Sequence, residues 1–134
     1  MIIDKKTLDN LTAEAALSPR LRMNLDMRTT ADDRSQRMLN AIEPGTELPI
    51  HRHKSTSETC IVLRGKAEEL YYDDNGVITA RIMMQPGTDC CGVNIKAGCW
   101  HKIISLEPGT VIFEAKDGPY EPLSTDDILT LNDL

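Results

Sequence analysis

The chain is 134 residues long with a mass of 14.9 kDa, room for one domain and little more. With 40% hydrophobic and 27% charged residues, it is neither disordered nor fibrous. Fifteen basic residues against twenty-one acidic ones leave a charge of −6, which argues against binding the nucleic-acid backbone but not against a small anion held by a few arginines.

Asp4 caps a predicted helix over 5–17, with Leu8, Leu11 and Ala15 on one face and Pro19 beyond its end. The following SPRLRMNLDMRTT reads as a polar, arginine-bearing connector. Thr30 and Asp33 have the spacing of a capping box, and Met38, Leu39 and Ile42 form an apolar stripe, so a second helix is expected before Pro44-Gly45. From Thr46 to Lys116 the texture changes. CIVLR, AEELYY, VITARIMM, CGVNI, HKIISL and TVIFEAK have the length and composition of strands. Asp74-Asn75-Gly76 predicts a hairpin, with Asn-Gly supplying the positive φ angles of a type I′ turn. Pro86-Gly87 and Pro108-Gly109 mark further turns. Many short strands imply a sandwich or small barrel, since a sheet with one apolar face must cover it. DGPYEPLS reads as a loop, and TDDILTLNDL as a short terminal helix starting near Ser124 or Thr125.

No run approaches the ~20 apolar residues of a membrane span. The opening MIIDKKTLDN is charged where an export signal carries its apolar stretch, so a cytoplasmic chain is expected. The four cysteines are Cys60, Cys90, Cys91 and Cys99; two are adjacent, and reduced thiols are the better reading.

The chemistry gathers around the three histidines, His51, His53 and His101. His51 and His53 are two residues apart where a strand begins, so both imidazoles face the same way, roughly 7 Å apart along the backbone. One cation at about 2.1 Å from each nitrogen could take both. Glu58 opens the next apolar strand, and a turn would bring its carboxylate back toward the same centre. His101 follows the Gly98-Cys99-Trp100 turn and opens another strand. Three imidazoles and one carboxylate suit a divalent transition metal and leave positions open for water or substrate.

Gly45-x5-His51-x-His53-x4-Glu58-x6-Gly65 matches the first motif of the cupin superfamily at every fixed position, and the chain resembles that superfamily. The second motif is kept in part. Gly98-x2-His101 retains the turn glycine and the last ligand, while Lys96 stands for the usual proline, Cys90 for glycine and Ser105 for asparagine. Ser18-Pro19-Arg20, Arg22, Asn24, Gln36 to Ala41, Glu43-Pro44-Gly45, Gly98-Cys99-Trp100-His101, Leu106 to Thr110 and Phe113-Glu114-x-Lys116-x-Gly118-Pro119-Tyr120 are similar to the WbuC family of small cupin-fold metalloproteins. That likeness covers nearly all of residues 1–122.

The resemblance implies a mainly β fold, a cupin jelly-roll barrel with two N-terminal helices and a short C-terminal helix. Residues 1–44 would pack on the barrel, 45–122 would form it, and 123–134 would be a tail. His51, His53, Glu58 and His101 would hold one divalent ion, Fe, Mn, Ni or Zn. It further implies a carbohydrate or nucleotide-sugar intermediate of surface-polysaccharide synthesis as ligand, and a homodimer paired through sheet edges. An Fe(II) oxygenase and a non-catalytic sugar sensor are the alternatives.

Other residues are candidates for ligand contact. Cys60 and Cys99 lie two residues from Glu58 and His101, on the same face; the plainer reading makes them small apolar wall residues. Glu114 and Lys116 share a strand face, and the Gly118-Pro119 turn folds Tyr120 toward them, at the pocket mouth or as a solvated pair with a packed tyrosine. Five of the eight arginines lie between Arg20 and Arg37. Arg20, Arg22, Asn24 and Arg37 would recognise an anionic group such as a sugar acid or nucleotide-sugar phosphate if this segment crosses the mouth, and would otherwise be a solvated connector.

Overall fold

The computed structural model describes residues 1–131. It begins with helix α1 (Lys5–Leu17), whose N-terminus is closed by Asp4 Oδ1 accepting from the Thr7 amide at 2.9 Å. Ten strands follow: β1 (Arg22–Asp26), β2 (Ser35–Ile42), β3 (Ile50–His51), β4 (Glu58–Arg64), β5 (Ala67–Tyr72), β6 (Ile78–Met84), β7 (Gly92–Ile95), β8 (Trp100–Ser105), β9 (Val111–Asp117) and β10 (Ile128–Leu129). They form two antiparallel five-stranded sheets, ordered β1-β2-β9-β4-β7 and β10-β3-β8-β5-β6.

Strand alternation builds the core between the sheets. Ile42, Cys60, Val62 and Ile112 from the first sheet meet Ala67, Met84 and Ile103 from the second. A second cluster lies on the outer face of the first sheet, where Leu11 and Ala15 of α1 cover Leu39, Ala41 and Val111. β2 is therefore buried on both faces.

That double burial explains why the expected second helix is a strand. Leu39 and Ala41 face α1 and Ile42 faces the barrel, so apolar residues fall next to one another and mimic a helical stripe. Asp33 caps no helix. Its carboxylate accepts from the Thr29 and Ser35 amides and from Arg37, which together hold it down at about 2 and stiffen the β1–β2 loop. The arginine-bearing connector is likewise a strand, β1, at the sheet edge.

Two smaller expectations are corrected. The β5–β6 hairpin turns at Asp74-Asn75-Gly76, but Gly76 at φ +77° is its only left-handed residue. Asp73 pairs with Val77, and the Asp73 carboxylate accepts from the Asn75 and Val77 amides, so the loop is not a type I′ turn. The expected terminal helix is a single 3-10 turn, Thr125–Asp127, followed by β10, which pairs with β3. The last three residues of that expectation, 132–134, lie outside the described residues. No described helix is long and apolar enough to cross a membrane.

Gly65 closes the β4–β5 turn at φ +89°, and a Cβ there would stand 2.6 Å from Thr110 Cα and press on its hydroxyl. Gly87, at φ +76°, has nothing within 4 Å of the same position. Gly65→Ala thus combines backbone strain with overpacking, about 3 kcal/mol, whereas Gly87→Ala carries strain alone, about 1 kcal/mol. Thermal denaturation is expected to show a melting-point loss at least twice as large for Gly65→Ala. Equal losses would contradict the close approach of the β4–β5 turn to Thr110.

Candidate metal centre

The four sequence-nominated donors converge. One ligand atom from each of His51, His53, Glu58 and His101 lies within 4.8 Å of the other three. His51 on β3 stands directly across from His101 on β8, with ring centroids 4.2 Å apart. His53 follows just beyond β3, and its carbonyl accepts from the Gly98 amide at 2.7 Å, which ties the two motifs together. Glu58 is the first residue of β4 and comes in from the opposite sheet.

Backbone carbonyls set the ring orientations. His51 Nδ1 donates to Pro49 O at 3.1 Å and His101 Nδ1 to Cys99 O at 2.9 Å, which leaves both Nε2 lone pairs free. His101 Nε2 approaches Glu58 Oε2 at 3.3 Å and His53 Nε2 approaches it at 3.4 Å. The His53 Nε2 atom is buried without a hydrogen-bond partner. An orphaned imidazole nitrogen beside a buried carboxylate is a donor pair suited to a cation. Ligands on one ion at bonds of about 2.1 Å lie roughly 3–4.2 Å apart, so small side-chain adjustments close this cluster around a metal. The residues fit a divalent ion.

The electrostatics agree. Burial pushes His51 down to about 4, helped by the neighbouring His101. Burial also acts against protonated His101, but the hydrogen bond and charge of Glu58 outweigh it and raise the imidazole above its ordinary value. Burial likewise works against the Glu58 carboxylate, yet His101, His53 and Lys116 hold it well below the usual range. The centre is an anion with imidazoles around it. Burial pushes Glu114 up to about 8, and the Glu58 charge adds to this, so it carries a proton at neutral pH. Glu114 is half-buried in the cavity wall.

His51, His53 and Glu58 of the cluster line a cavity of about 660 Å³, and His101 is buried beside them. Glu114, Lys116 and Tyr120 line the cavity as expected, with Tyr120 exposed at the mouth and Arg28 stacked 5.7 Å from its ring centroid. Of the other candidates only Arg22 joins them. Arg37 points away and donates to Met27 O and Ser35 O. Asn24 is exposed at the sheet edge, and Arg20 lines a separate cleft with Glu47. Cys60 is in the core and not in the cavity lining, and burial raises its thiol well above the ordinary value. The Cys99 side chain is outside the cavity wall; its carbonyl orients His101. All four cysteines are free.

Two lining residues, Gln36 and Asn40, have no contact signal in the sequence because β2 reads as a helix. Glu69 escaped nomination as well. It is 1% exposed, burial pushes it up to about 8, and its Oε1 has no partner. The alternation Ala67, Glu69, Tyr71 in AEELYY was the available signal.

Two antiparallel sheets with a His3Glu cluster between them make this a cupin-fold protein, and the solved structures similar to it are cupins. The family model described as "Domain of unknown function (DUF6016)" matches residues 3–84, so the chain belongs to that family. Among solved structures, the capsular polysaccharide assembling protein CapF from Staphylococcus aureus is 22% identical, with TM-score 0.67, over 86% of this chain and 33% of its own. KdgF from Halomonas sp. is 15% identical, with TM-score 0.60, over 78% of this chain and 85% of its own. Oxalate decarboxylase from Bacillus subtilis, a protein with Mn(II) centres, is 19% identical, with TM-score 0.58, over 84% of this chain and 28% of its own. The chain thus spans about a third of CapF. No curated protein matches it significantly.

His51→Ala and His101→Ala are expected to abolish stoichiometric metal while leaving the β-sheet circular dichroism intact. One ion per chain in either variant would remove that residue from the ligand set. Metal affinity should also fall with acidification. Protons compete for His101, whose value is raised, so once the pH is below that value affinity drops about tenfold per unit. Calorimetric titration at pH 8, 7 and 6 tests this, and an affinity flat across that range would contradict imidazole ligation.

Proposed function

We propose that this chain is a metal-binding cupin whose centre binds or transforms a carbohydrate or nucleotide-sugar intermediate of surface-polysaccharide synthesis. The observation that carries the metal is the convergence of His51, His53, Glu58 and His101, three of which line an open cavity. The likeness of the N-terminal and C-terminal segments to the WbuC family supports the ligand class, as does the fold shared with a protein named for capsular polysaccharide assembly. In this reading the protein works in the cytoplasm as a homodimer.

A divalent ion at these ligands would polarise a carbonyl or hydroxyl oxygen of the ligand, or lower the pKa of a bound water. The chain's own residues supply the rest. Glu58 neutralises part of the ion's charge, and Glu114, protonated at neutral pH, stands ready to donate to a ligand oxygen. Lys116 lies between Gln36 and Glu58 in strand register and keeps positive charge beside the centre.

Elemental analysis of protein purified without a nickel column, followed by a turnover screen over sugars and nucleotide sugars, tests the proposal. One ion per chain and turnover or saturable binding of a sugar derivative are expected. A metal-free protein that fails to take up Fe, Mn, Ni or Zn would overturn it.

A further inference from the structure

The cavity wall holds four cationic side chains: Arg22, Arg52, Lys54 and Lys116. Two are engaged. Arg52 and Lys54 each approach Asp127 Oδ1 at 3.5 Å, and the Arg52 guanidinium lies 4.4 Å from the Trp100 ring centroid and donates to Asp126 O. Lys116 has the Glu58 charge beside it in register. Arg22 has no ion-pair or hydrogen-bond partner among the described residues, although it is half-buried. Its charged neighbour Arg20 is of like sign, and both Arg20 and burial weigh against its charge. Glu47, which borders the cleft on its other side, is exposed and beyond ion-pair reach.

An unpartnered guanidinium in a cavity wall is a donor set without an acceptor. Asn40 stands next to it. Arg22 pairs with Ile42 across β1–β2, so Asn40 is its diagonal neighbour on the same face, and the Asn40 amide is also without a partner among the described residues. Lys116, by contrast, is opposite Gln36, six residues further along β2 from Ile42. Arg22 therefore lines the cavity away from the Gln36–Lys116–Glu58 row of the first sheet. One continuous cavity serves both.

We propose that Arg22 and Asn40 form an oxyanion subsite that seats a phosphate or carboxylate of an elongated ligand whose other end reaches the metal centre. The inference rests on the metal-binding reading above and adds the charge and length of the ligand. Planar, bidentate guanidinium recognition suits either anion, and a cavity of this volume admits a ligand of disaccharide or nucleotide-sugar size.

The test compares binding of UDP-glucose, digalacturonate and cellobiose by calorimetry, to metal-loaded and to chelator-stripped protein. At least one anionic probe should bind the wild-type protein tenfold or more tightly than neutral cellobiose; which of the two does so assigns phosphate or carboxylate. Arg22→Ala should remove that preference, with Arg22→Lys restoring part of it, while metal stoichiometry, melting temperature and cellobiose binding stay unchanged. Equal binding of neutral and anionic probes, no binding of either anion, or equal loss for all probes in Arg22→Ala would overturn the subsite. If that happens in protein that still takes one ion per chain, the metal reading stands. Charge preference surviving in protein that takes up no metal would sink the metal reading and leave the subsite.

Discussion

The structure turns on one buried charge. Glu58 sits between two sheets, 5% exposed, where an isolated carboxylate would be strongly disfavoured. Three imidazoles surround it, and the strands are arranged to keep them there. The β3–β8 register sets His51 against His101, the Gly98 amide anchors the His53 carbonyl, and Pro49 and Cys99 carbonyls turn the rings. The Glu58 charge raises His101 above its ordinary value, and a dication would answer the same carboxylate with all four donors at once, so the orphaned His53 nitrogen and the raised His101 belong to a single account.

Around that charge each inner strand runs from polar to apolar. On β4 the inward residues are Glu58, Cys60 and Val62; on β9 they are Lys116, Glu114 and Ile112. β2 runs the same way, from Gln36 to Ile42. The barrel therefore has a wet end, with the metal cluster, and a dry end, with Met84, Ile103 and Ile112. Protonated Glu114 lies at the boundary, which is where burial is enough to keep a proton on an acid without closing it off from a ligand.

How much of this could be read from the chain depended on how each face was used. The ligand set was legible because the histidines occur nowhere else and their spacing matches a strand start and two turns. β5, β8 and β9 were legible because one face is apolar and turn residues bound them. β2 was not, because α1 covers its outer face and fills in the alternation that would have marked it as a strand. β1 was readable in principle: Met23, Leu25 and Met27 pack toward α1, while Arg22, Asn24 and Asp26 alternate with them. Its arginines drew the reading toward a connector instead. β10 pairs through only two residues, too few to leave a pattern. Of the outer wall of the site, Arg22 was legible as an arginine of the N-terminal segment, whereas Gln36 and Asn40 lie on β2 and were hidden with it.

Fold likeness alone leaves function open, since the same barrel serves proteins of which this chain spans about a third. In this chain the C-terminal segment meets the cavity. Residues 118–123 line the mouth, Gln36 Nε2 donates to Gly118 O and Pro119 O, and β10 docks the end of the segment on β3. In the same stretch Asp127 takes up Arg52 and Lys54. The segment that covers the cavity therefore also cancels two of its four cations, and what remains positive is Lys116 beside the metal centre and Arg22 away from it. Charge selection in this cavity follows from where the tail is fastened as much as from the barrel itself.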